Sequence, residues 1–244
     1  REDPVRMLRV VRFAAKLEFG IDSDTAAAIP RCAPLLREIP SARLFDEFLK
    51  LFLSGYAERT FDALLTHELL GYLFPDGTEE LHRDPAAMAL VRAAMRSTDT
   101  RIKADKPVTP AFLLAALLWP VTRQLAEQLQ ERGDPPVPAM HSAAQQVIAS
   151  AVSSIAIPRR FSQTMREIWE FQLRLQRGTS RKARELLQNR RFRAAYDFLL
   201  LREEAGEDTG NVGAFWTEFQ ELPENQNLPM LDTASEGGEE AAGR

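Results

Sequence analysis

The chain is poor in cysteine, histidine and long apolar runs, and each shortage removes a class of protein. One cysteine, Cys32, among 244 residues rules out an internal disulfide framework and fits a reducing compartment, so a cytoplasmic location is expected. The longest wholly apolar stretch, Ala111 to Trp119, is nine residues, against the roughly 20 that a membrane-spanning helix needs. No membrane span is expected. His67, His82 and His141 are scattered and have no cysteine companions, which argues against a zinc site. Neither a glycine-rich phosphate loop nor a G-x-S-x-G elbow occurs. His82, Arg83 and Asp84 spell a kinase-like triplet, but no asparagine follows five residues on, and Asp84 reads better as a helix cap. The first residue is Arg1, and no charged, apolar and small-residue leader pattern follows it, so the chain is expected to be cut from a longer one.

The apolar content of 45% supports a folded core. Alternating β-branched runs are almost missing and helical periodicity recurs, so the fold class is all-α. Asp3 followed by Pro4 reads as an N-cap with proline at the first helical position, and Gly20 as the stop. Ser23 and Asp24 cap a second helix. Ser41 caps ARLFDEFLKLFLSG, whose Leu44, Phe45, Phe48, Leu51 and Phe52 share a face. A further helix is expected from Glu58 to Leu73, then a turn at the FPDG of Phe74 to Gly77. Asp84 with Pro85 and Thr109 with Pro110 start helices, the second to be kinked or ended by Pro120. Gly133 to Pro138 reads as a linker and candidate subdomain boundary, Ser142 opens a helix to about Ile157, and Ser162 and Ser180 cap two more, the last broken near Asn189. After Gly206 only Phe215, Trp216 and Phe219 anchor a weakly patterned stretch, and disorder is expected from about Leu231.

The formal net charge of −4 conceals a segregation. Between Pro158 and Arg193 stand 11 Arg and Lys against three Glu, whereas from Arg202 to Arg244 two basic residues face 11 acidic ones. Arg159, Arg160, Arg166, Arg174, Arg177, Arg181, Lys182, Arg184, Arg190, Arg191 and Arg193 form the basic field, interleaved with Phe161, Trp169, Phe171 and Phe192. Such cations neutralise phosphates, and such rings are able to stack bases. The residue pattern favours RNA contact for the arginines and a core position for the rings.

In the opening helix Arg6 and Arg9 are three apart and share a face, while Arg6 and Arg12 lie about 120° apart on a 3.6-residue helix. One anionic ligand meets Arg6 with Arg9, or Arg9 with Arg12. Asp3, one turn from Arg6, adds an acceptor to those donors, and such a pair reads the donor and acceptor edge of a base or, through the guanidinium fork alone, a phosphate. Spacing alone favours a plainer reading, a solvated basic face with an ordinary cap.

The whole string EDPVRMLRVVRFAAKLEF, however, resembles the neck-helix motif of bacterial poly(A) polymerases and CCA-adding enzymes, the class II nucleotidyltransferases. The resemblance implies that Asp3 and Arg6 pair with the Watson–Crick edge of the incoming nucleotide, that Glu2 orients Arg6, that Arg9 completes the pocket and that Arg12 makes a phosphate or structural contact. IPSARLFDEFLKLFL is similar to the family's next neck motif, with Ala42, Arg43 and Leu44 where relatives commonly carry Glu, Arg and Ile; Arg43 and Glu47 are then bracing residues. IPRRFSQTMREIWEFQLRLQ and NRRFRAAYDFLLLR are similar to the C-terminal helices of the poly(A) branch, which favours that branch over the CCA-adding one.

The implied organisation is neck helices with the nucleotide-reading motif at 1–55, a helical body at 56–132, a basic RNA-binding region at 139–206 and an acidic, largely disordered tail at 207–244. The implied activity is addition of AMP from ATP to RNA 3′ ends. ATP is the substrate, RNA 3′ ends are the partner, and Mg²⁺ is bound outside this segment by a missing N-terminal catalytic domain of the same protein. The one D-x-D, Asp22 to Asp24, lies between helices and reads as capping, so no catalytic or metal residue is assigned and the segment alone is expected to be inactive. A reading of another class is a non-catalytic helical RNA-binding or scaffold protein.

Overall fold

The structure, a computed structural model, describes residues 3–177 and 180–222, and for 180–182 the backbone alone. Thirteen α-helices and one 3-10 turn, and no strand, occur among the described residues, in agreement with the all-α expectation. None of these helices is long and apolar enough to cross a membrane.

Helix α1 (Arg6–Leu17) starts one turn after Asp3, whose Oδ1 accepts from the Val5 N–H at 3.2 Å. It buries Met7, Leu8, Val11 and Ala15, a stripe at helical spacing. It ends with Glu18 in the left-handed region at φ 57°, two residues before the expected stop at Gly20. Asp22, not Ser23, caps α2 (Ser23–Cys32), its carboxylate accepting from the Asp24 and Thr25 N–H groups. Helix α3 (Ser41–Phe52) buries the five expected apolar residues and, unexpectedly, Glu47.

The helix expected over Glu58 to Leu73 is split into α4 (Ala57–Thr66) and α5 (Leu70–Leu73) by Glu68 at φ 55°. The strain of a non-glycine left-handed residue, roughly 1–2 kcal/mol, is offset by full burial of Leu69. The FPDG stretch is the start of a helix instead of a turn. Pro75 occupies the first position of α6 (Pro75–Arg83), and Gly77 lies where an added Cβ would come within 3.4 Å of the Leu117 carbonyl oxygen. Asp84 caps α7 (Pro85–Lys103) through the Ala86 N–H.

Helix α8 (Pro110–Glu131) runs through Pro120 without ending. A proline inside a helix costs about 3 kcal/mol, but Leu113 to Pro120 is buried throughout, and each large apolar side chain so buried contributes roughly 1.5–3 kcal/mol. Packing outweighs propensity there. The supposed linker is a short turn at Gly133, because α9 (Pro136–Ser154) begins inside it and packs back on α8. Helix α10 (Arg159–Gln176) begins before the expected Ser162, and α11 spans Ser180–Leu187, with Ser180, expected as a cap, its first described residue. The break at Asn189 precedes α12 (Phe192–Glu204). Of the segment read as tail, Val212–Glu221 forms a helix, α13, with Phe215, Trp216 and Phe219 buried; residues 223–244 lie outside the described ones.

Two hydrophobic cores result. The larger runs from α1 to the first half of α10 and takes Phe198 and Leu201 from α12. The smaller holds Phe171, Leu175, Phe192, Ala195, Tyr196, Leu199 and Trp216. Helix α12 therefore buries two opposite faces, which explains its weak amphipathic pattern.

Where the cores meet, the Arg202 guanidinium is 4% exposed, stacks 4.6 Å over the Trp119 ring, and donates to Gln172 Oε1 at 2.9 Å and to both oxygens of Glu207 at 2.7 and 3.0 Å. The Trp119 indole N–H also donates to Glu207. Burial pushes the Glu207 carboxyl up, but the Arg202 bonds and charge, the Trp119 bond and Arg123 together hold it below its ordinary value. A carboxylate depressed in the folded state contributes stability that is complete above the unfolded value of about 4.3 and is lost as pH falls through the lower folded value. Melts from about pH 7 to about pH 3 should therefore show a steep acid limb, shallower in Glu207→Gln. Parallel limbs in the two proteins would remove Glu207 as its source.

Candidate nucleotide and RNA interfaces

The start of α1 lies against α3, and the two helices exchange charges. Asp3 is ion-paired to Arg43 of α3, Arg9 approaches Glu47 at 3.6 Å, and Lys50 donates to Glu47 at 2.9 Å. Glu47 is 2% exposed, and its Oε2 has no hydrogen-bond partner among the described residues. A buried carboxylate is tolerable only when paired, and Arg9 with Lys50 supplies that pairing. Desolvation pushes the Asp3 carboxyl up, but hydrogen bonds from Arg43 and Val5 and the charges of Arg43 and Arg9 more than offset it and hold the group below its ordinary value. Asp3 is thus an ionised, acceptor-only group beside guanidinium donors.

Of the residues expected to read a nucleotide, Asp3, Arg6 and Arg9 lie at one end of one helix, with Arg6 and Arg9 exposed. Arg12 is half-buried, its guanidinium 4.7 Å from the centroid of the Phe13 ring. Glu2 lies outside the described residues. The Asp3–Arg43 pair was not legible in the sequence: bracing by Arg43 was expected, but a direct contact across 40 residues has no local signal.

In the basic field, Arg159, Arg160, Arg174, Arg177, Arg190 and Arg193 are exposed, Arg190 lying 3.8 Å from Glu167 and Arg193 pairing with Asp197 at 2.9 Å, while Arg191 is paired with Glu167 and Arg166 lies 3.9 Å from Glu170. Burial pushes the Glu167 carboxyl up, but hydrogen bonds from Arg191 and Gln163, with the charges of Arg191 and Arg190, hold it low. Arg184 lies over the Phe219 ring. The side chains of Arg181 and Lys182 lie outside those described. Trp169, Phe171 and Phe192 are buried, and Phe161 packs against Phe45. These rings serve the cores, as the sequence pattern favours, and the exposed groups of the field among the described residues are guanidiniums.

No group of three or more His, Cys, Asp or Glu able to hold a metal occurs among the described residues. Asp22 is engaged in capping α2, and His82 and His141 bond Thr78 and Glu170 in separate places. The donor set here does not fit a pair of Mg²⁺ ions.

Residues 132–244 match the family model described as the polymerase A arginine-rich C-terminus, and residues 18–81 match that of the probable RNA and SrmB-binding site of polymerase A. The chain is 41% identical over 241 residues to poly(A) polymerase I of Escherichia coli O157:H7, covering 97% of this chain and 52% of that protein. It is 40% identical to poly(A) polymerase I of Salmonella typhimurium over 95% of this chain and 51% of the relative. A CCA-adding enzyme of Streptococcus sanguinis is 32% identical over 53% of this chain and 33% of its own length. The chain thus spans about half the length of the poly(A) polymerases that it matches. The similarity to them extends through the arginine-rich region, and the chain belongs to the bacterial poly(A) polymerase family.

Proposed function

We propose that this chain is the nucleotide-selecting and RNA-holding portion of a cytoplasmic polynucleotide adenylyltransferase that extends RNA 3′ ends with ATP. The observation that carries the reading is the 41% identity to a poly(A) polymerase over 97% of the chain, basic field included. In this reading Asp3 accepts from the base and Arg6 donates to it. Arg9, held by Glu47, closes the pocket, and Glu2 and Arg12 play lesser roles. The first 55 residues act as the neck and 56–132 as the body. Residues 139–206 hold RNA. Mg²⁺ and the phosphoryl-transfer carboxylates belong to the catalytic domain outside this chain, and the chain alone is inactive.

The test is to offer the full-length protein ATP, CTP, GTP and UTP one at a time with an RNA primer. Long tails from ATP alone are expected; tails of at most three residues, needing CTP, would make it a CCA-adding enzyme instead. For RNA holding, the double variant Arg190→Gln with Arg193→Gln, at side chains 76% and 73% exposed, should lower the salt slope of binding by roughly 1.4, at about 0.7 per phosphate contact on a single strand. An unchanged slope would leave these two as solvated charges.

A further inference from the structure

Residues 107–112, where the loop after α7 leads into α8, stand across from α12 and enclose with it an open groove of about 560 Å³. That size falls within the ~300–1,000 Å³ of small-ligand clefts. Val108, Phe112, Ala194 and Leu200 give it an apolar lining, and Arg190 and Arg193 stand among its lining residues. The loop wall is fixed, because the Arg101 guanidinium donates twice to the Pro107 carbonyl, at 3.1 and 3.3 Å. Phe112 is fixed as well, edge-on to Phe198 at 6.0 Å. The two lining carboxylates are engaged: Asp197 pairs with Arg193 at 2.9 Å, and Glu204 with Arg96 at 3.5 Å.

We propose that this groove takes a nucleotide unit of single-stranded RNA, with its base on the apolar lining of Val108, Phe112 and Leu200 and its phosphates toward Arg190 and Arg193. The proposal rests on the RNA-holding reading above and adds a place for the base, which the buried Trp169, Phe171 and Phe192 do not provide. An apolar floor beside exposed cations matches a ligand with a flat hydrophobic group and an anionic backbone. An acidic peptide would use the cations and leave the floor unused.

Two measurements on the 244-residue chain test it. The first is ultraviolet crosslinking of the unaltered chain to a single-stranded RNA bearing 4-thiouridine, followed by peptide mapping. Crosslinks in 107–112 or 194–201 are expected, and crosslinks confined to other segments would overturn the groove. The second uses Val108→Trp, which fills the groove and removes no charge. Affinity for a labelled oligoadenylate should fall about tenfold while the salt slope and thermal melt stay unchanged. Unaltered affinity would overturn the groove and leave the RNA-holding reading in place. No RNA binding by the unaltered chain would overturn both.

Discussion

Replacing Arg202 by alanine is expected to destabilise the chain by about 3–5 kcal/mol, because it leaves the Glu207 carboxylate buried without its main counter-ion. For a chain of this size that corresponds to a fall in melting temperature of roughly 6–20 °C. Two further contacts go with the guanidinium: the bond to Gln172, and the stacking on Trp119 that ties α12 to α8. Thermal denaturation followed by circular dichroism measures the loss. A decisive comparison is Arg202→Met combined with Glu207→Gln, which removes both charges at once. The double variant should be more stable than Arg202→Ala, because a missing pair costs less than a broken one. A fall of less than about 1 kcal/mol in the single variant, the range of an exposed pair, would show that water reaches the site and that the clasp is no more than a surface contact.

The second large effect concerns selection. Arg6→Ala in the full-length protein should reduce the preference for ATP over GTP, measured as the ratio of kcat/KM values, by about 10- to 100-fold, from the ~1–3 kcal/mol that a charged base contact discriminates. RNA affinity should change little, since the variant keeps the exposed Arg159, Arg160, Arg174, Arg177, Arg190 and Arg193 of the basic field. Equal loss of catalytic preference and RNA affinity would mean that Arg6 holds phosphate in general. Arg43→Ala is the companion variant. It removes the group that pairs with Asp3, so it should weaken selection in the same direction while leaving Arg6 in place.

How much of this was legible depended on how local each cause is. Asp84 with Pro85, the face of α3 and the break at Asn189 are set by residues within a turn of one another, and they were readable. The FPDG stretch was misread as a turn although Pro75 suits the first position of a helix, and the alternative that Pro120 ends its helix failed because burial of α8 overrides the local chemistry. In the candidate site, the three-residue spacing that brings Arg6 and Arg9 to the exposed face of α1 was readable. Glu47 gave no sign of being buried, since its counter-charges sit on α1 and on the next turn of its own helix. Arg202 is the extreme instance, with Trp119 and Gln172 83 and 30 residues away.

Helix α12 contributes to both hydrophobic cores, with Phe198 and Leu201 on one side and Phe192, Ala195 and Leu199 on the other. Neither core can come apart without stripping one face of that helix, so melting of the basic layer and melting of the body are a single event. Amide hydrogens at the centre of α12 should then exchange with solvent only when the whole molecule opens, and their protection should equal the global free energy of unfolding. The helix beside the proposed RNA groove would be among the last parts of the chain to loosen, so that wall of the groove is rigid rather than adaptive.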